Sequence, residues 1–142
     1  MWIALGVVVA LLVGFPVSIS LVNDGAARGI ETRLLRLPLP DGTERIDSMA
    51  QAGKLVGNGN GMQYIAALLI RSDHGAARLQ GFYDAQKGVA DLSITVTPAE
   101  DLAALRNATG FLSDPGESGT FVVQAWGEGP GGIFEAFDIR GH

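Results

Sequence analysis

Met62–Ile70 reads MQYIAALLI, and this stretch decides the fold. Successive side chains of an extended chain point to opposite faces, and here both sets are apolar. That predicts a central strand with both faces covered rather than an edge strand. The flanking segments must therefore supply neighbouring strands and packing layers.

Upstream, Glu44–Val56 predicts a second strand. The string Gly53-Lys54-Leu55-Val56-Gly57-Asn58-Gly59-Asn60-Gly61-Met62 joins it to the central one. Asn-Gly is the commonest chemistry of a tight hairpin, so a connecting loop is the first reading of this string. The second is a binding loop of Lys54, Gly57, Asn58, Gly59, Asn60 and Gly61. Glycine and asparagine tolerate positive φ, and backbone amides turned outward form a nest for an anion. The string is not a P-loop, because its lysine precedes the glycines and no Lys-Ser or Lys-Thr follows. Nor is it a dinucleotide fingerprint, which needs a helix where this chain continues as a strand.

Downstream, Ser72 or Asp73 is placed to cap a helix reaching about Ala85, with Ala76, Leu79, Phe82 and Tyr83 on one side. Leu92, Ile94 and Val96 alternate with Ser93, Thr95 and Thr97, the pattern of a strand with one dry face. Thr97-Pro98-Ala99-Glu100 predicts the start of a short helix ending near Asn107. Thr120–Trp126 and Ile133–Ile139 predict a hairpin around Gly127–Gly132, which places Trp126, Phe134 and Phe137 on strands.

The N-terminal run MWIALGVVVALLVGFPVSISLV, Met1–Val22, contains no charged side chain. As a helix it is about 33 Å long, enough to cross a hydrocarbon core of about 30 Å. It is expected to be a transmembrane anchor that makes the lipid bilayer a partner. The competing readings are a cleaved secretory signal, with helix-breaking Pro16 and the small residues Ser18 and Ser20 near a cleavage site, and a buried core helix, unusual for an all-apolar run at the N-terminus of so small a domain. The missing basic n-region and the apolar Leu21-Val22 favour the anchor. Asn23–Leu37, with arginines among its apolar residues, predicts a helical stalk that ends at Leu37-Pro38-Leu39-Pro40-Asp41-Gly42. Arg28, Arg33 and Arg36 follow the run, and by the positive-inside rule would put the domain in the cytoplasm.

The expectation is thus an α+β chain. Residues 1–22 form a transmembrane helix, 23–40 a juxtamembrane stalk and linker, and 41–142 a single domain. That domain is a small antiparallel sheet in ββαβαββ order with helices packed on one face.

The net charge of −5 is unevenly placed. Residues 23–87 carry eight bases and seven acids, whereas 88–142 carry two bases and eight acids. No basic face is available to displace counterions from phosphates, which argues against nucleic acid as a partner. The absence of cysteine removes disulfides, thiolate metal sites and thiol nucleophiles. With only His74 and His142 as imidazoles, no metal or other cofactor is expected. Glu100, Asp101, Asp114, Glu117 and Glu128 lack the spacing of a calcium loop and read as a solvated acidic surface. Asn107-Ala108-Thr109 matches a glycosylation sequon, a short pattern common by chance.

The stretch from Leu39 to Tyr83, above all Gly53–Met62 with Gln63-Tyr64 and Leu69-Ile70-Arg71-Ser72-Asp73, resembles a family of small bacterial proteins of the Firmicutes type. Those proteins share a GKLxGNGNGM motif, one N-terminal membrane helix and a small outer domain. The resemblance implies a single-pass protein of the cell membrane with an extracytoplasmic domain, and carries no activity. The expected function is a non-catalytic binding or interaction module at the bacterial envelope, with an envelope protein or small ligand as partner. The alternatives are an envelope hydrolase using Asp73 and His74, or a domain secreted after signal cleavage.

Overall fold

The computed structural model describes residues 2–55, 61–86, 91–102, 110–111, 113 and 118–141; in the first helix the side chains are described from residue 14. Helix α1 spans Trp2–Leu35 and is followed by strands β1 (Thr43–Gly53) and β2 (Gln63–Ser72). Helix α2 (Ala76–Asp84), β3 (Ser93–Pro98), a 3-10 turn (Ala99–Leu102) and β4 (Thr120–Gly127) come next. A one-turn helix α3 (Ile133–Ala136) and a 3-10 turn (Ile139–Gly141) complete the order. The class is α+β, with four antiparallel strands in the order β1-β2-β4-β3.

The central-strand reading holds. β2 pairs β1 on one side and β4 on the other. Its Tyr64, Ala66, Leu68 and Ile70 enter a core shared with α1 and α2, where Ala27, Ile30, Leu34, Leu79 and Tyr83 are fully buried. Its Ile65, Ala67 and Leu69 pack on the opposite face with Met49, Val122 and Ala99. In β1 a bulge between Arg45 and Asp47 keeps both faces in register with this arrangement. Arg45 reaches the Leu35 carbonyl on α1, while Ile46 packs on the far side.

Four expectations are corrected. Ile133–Ile139 is not a strand paired with β4, because both edges of β4 are already bonded, to β2 and to β3. Gly131 and Gly132, at φ of 69° and 59°, instead turn the chain into α3. The capped helix expected after Ser72 begins later, with Gly75 at its N-cap, because Ser72 still belongs to β2. Its Oγ is 2.7 Å from Thr43 Oγ1 and accepts the His74 amide at 3.2 Å. Thr97 and Pro98 still belong to β3, so the helical turn expected from Thr97 opens at Ala99 and is a 3-10 turn over Ala99–Leu102; the span from 103 to Asn107 lies outside the described residues.

The fourth correction concerns the stalk. Residues 23–35 are a structural layer of the domain: Asn23, Ala27, Ile30 and Leu34 recur at helical spacing and are wholly buried. The helix also runs through Pro16 without ending there. Among the described residues, no helix is long and apolar enough to cross a membrane. The described side chains of α1 start at Gly14, and from there the helix carries Asp24, Arg28, Glu31 and Arg33.

Candidate functional site

The sheet has two ends. At one lie the β1-to-β2 connection, the start of β3 and the chain after β4; at the other lie the β2-to-α2 turn and the start of β1. The N-terminal part of α1 leaves the domain at the first end, beside residues 133–141.

A buried polar cluster joins that exit. Asn23 donates from Nδ2 to the Phe134 carbonyl at 2.7 Å and to Asp138 Oδ2 at 2.8 Å. Its Oδ1 accepts the Tyr64 hydroxyl at 2.9 Å, so every polar atom of this fully buried amide is satisfied. Arg140 approaches Asp138 in a fork, with Nε to Oδ1 at 2.9 Å and Nη2 to Oδ2 at 2.7 Å. Its Nη1 reaches Asp24 at 2.6 Å, and its carbonyl accepts the Lys54 amide at 2.8 Å. One residue of the C-terminal segment thereby ties together α1, the end of β1 and its own turn.

The electrostatics follow from these contacts. Hydrogen bonds from Arg140 hold the Asp138 carboxyl well below the usual carboxylate range, against the opposing effect of burial. The same pairing raises the Arg140 guanidinium further. Burial, then the charge and hydrogen bonding of Glu135, push the Tyr64 phenol up to about 12. The ring of Tyr64 also lies directly against the Gly129 backbone, where a Cβ would overlap it. These groups hold each other in their ordinary charge states, as a structural clasp does.

Of the candidate loop, Lys54 and Gly61 are described, while Gly57, Asn58, Gly59 and Asn60 lie outside the described residues. Lys54 is exposed and stands at the exit end beside Arg140. Asp73 and His74 stand at the other end. The register pairs Gly53 with Gln63 and Thr43 with Ser72, so the length of the hairpin, about 30 Å, separates them from Gly53 and Gln63 at its other end. His74 lines a cleft of about 280 Å³ with Pro38, Leu39, Asp41, Arg78 and Phe82.

Among the described residues, no group of three or more His, Asp or Glu is placed to hold a metal ion. Glu100 and Asp101 are exposed on the 3-10 turn after β3. Glu128 shares a surface cleft with Arg33, Asp91 and Trp126. Asp114, Glu117, His142 and the sequon at Asn107 lie outside the described residues.

Sequence reasoning missed the clasp. Asn23 and Asp138 are 115 positions apart and belong to no motif. The one local signal was Asn23-Asp24, the first polar pair after an uncharged run. No protein-family model, curated protein or solved structure matches the chain.

Proposed function

We propose that the chain is a membrane-anchored interaction module. Met1–Val22 holds it in a bilayer at the bacterial envelope, and its domain binds an envelope protein or small ligand on the outer side without catalysing a reaction. The observation that carries this reading is the continuity of α1. One helix begins in the uncharged run and ends as a buried layer of the domain core.

The non-catalytic part draws support from the clasp, whose charged groups bond one another, and from the distance between His74 and Lys54, at opposite ends of the sheet. The cleft beside His74 favours the hydrolase as a second reading.

The test is alkaline carbonate extraction of membranes from cells making the full chain. It is combined with the mass of the mature protein and with protease access in intact cells. The expected result is a full-length chain that stays with the membrane and is digested from outside. A soluble chain shortened near Ser20 would replace the anchor with a secreted domain, and protection from protease would put the domain on the inner side. For the binding role, alanine at each of Gly57, Gly59 and Gly61 is expected to abolish capture of a crosslinked partner. Unchanged capture would remove the loop from the binding surface.

A further inference from the structure

The large apolar side chains left exposed are concentrated at the exit end. Phe15, Val17 and Leu21 on α1 are 48%, 53% and 63% exposed, and Ile133, Phe137 and Ile139 in the C-terminal segment are 54%, 59% and 82% exposed. The two sets adjoin. The rings of Phe15 and Phe137 meet edge to face with centroids 6.0 Å apart. Val17, Leu21, Phe137 and Ile139 line one apolar depression of about 320 Å³. A contiguous patch of this kind on a small domain marks a contact surface rather than ordinary scattered exposure.

We infer that Ile133, Phe137 and Ile139 form a second membrane contact, a collar that seats the domain on the hydrocarbon–headgroup boundary beside the helix. This rests on the anchored reading above and extends it to a part of the chain far from the anchor in sequence.

Three observations select lipid as the occupant. First, the patch is continuous with the uncharged run. Second, the depth agrees: the helix from Trp2 to Leu21 is about 30 Å long, so its last turn, which the collar flanks, lies where a spanning helix leaves the hydrocarbon. The first charge on the helix, Asp24, comes just past that level and is bonded to Arg140. Third, the charged groups behind the patch are bonded to one another. Arg140 joins both Asp24 and the buried Asp138, so each of these three charges has a partner where the helix meets the hydrocarbon boundary. The domain therefore lies against the membrane and is not lifted off it by a spacer, consistent with residues 23–35 being part of the core.

The test uses the full chain reconstituted in vesicles of phosphatidylethanolamine and phosphatidylglycerol. Because the sequence has no cysteine, single nitroxide labels can be placed cleanly at Ile139→Cys, Ile133→Cys and, as a control at the far end, Asp73→Cys. All three positions are exposed, so the fold tolerates the labels. The expected result is that the labels at 133 and 139 collide mainly with oxygen and are shielded from a water-soluble nickel chelate, whereas the label at 73 shows the reverse. Co-flotation with water-like collisions at 133 and 139 would overturn the collar and leave the anchor standing. Failure to co-float would overturn both. Spin–spin broadening at 139 that disappears on dilution with unlabelled chain would assign the patch to a second copy, which also overturns the proposal.

Discussion

Asp138 shows at the residue scale what holds the exit end together. Its side chain is wholly inaccessible and accepts from Asn23 Nδ2 and from Arg140 Nε, Nη2 and backbone N. Removing Arg140 would leave this carboxylate buried and uncompensated, at a cost of about 3 kcal/mol. Removing the Asp138 charge costs less, because Arg140 is a third exposed and keeps Asp24. Because the folded-state pKa lies below the unfolded value, the carboxylate's contribution is fully present above about pH 4. It is lost as the pH falls from there through the folded-state pKa. Asp138→Asn is therefore expected to lower the urea midpoint at pH 7, with the gap from the natural protein narrowing below about pH 4. A gap that stayed constant with pH would show that the carboxylate's charge does not matter. Nothing local in the sequence announced this residue. Asp138 follows Phe137 in what read as an alternating strand; Arg140 stands two residues on, and its other partner, Asn23, is supplied by a helix more than a hundred residues earlier.

Element by element, what could be read from the sequence depended on whether the deciding contact was local. MQYIAALLI declared its role because a strand covered on both faces carries apolar residues on both, as the run from Tyr64 to Ile70 does. Ile94 and Val96 declared theirs by simple alternation, and both are buried on the helix side of the sheet. Residues 133–139 misled because their fate turns on which edges of β4 are free, which no local pattern records. The helix from Asn23 to Leu35 misled in the opposite way. Its arginines suggested a solvated stalk, while Ala27, Ile30 and Leu34 between them are the core face. Ile30 sits against Gly127 of β4 as well as inside the main core. Ile30→Asp would bury an unpaired charge and is expected to remove at least about 4 kcal/mol, collapsing the cooperative thermal transition seen by circular dichroism. Arg28→Gln, on the exposed side, is expected to change stability by no more than about 0.5 kcal/mol. A spacer helix would show equal small effects at both positions.

At the scale of the whole molecule, the chain is built around one helix, α1, whose two halves differ in character. Its second half is a layer over the sheet, and its first half is an uncharged run leaving the domain next to an apolar collar. Lys54 lies at that same end, while the His74 cleft lies at the other. If the chain is anchored as proposed, α1 is a single continuous helix shared by bilayer and domain. Amide hydrogen exchange of the full chain in phospholipid vesicles, read segment by segment, tests it most directly. The expected result is unbroken protection from the first turns of α1 through Leu35, with residues 23–35 exchanging only as the whole domain opens. Rapid exchange of every amide before Pro16 in the presence of lipid, beside a protected 23–35 segment, would contradict it.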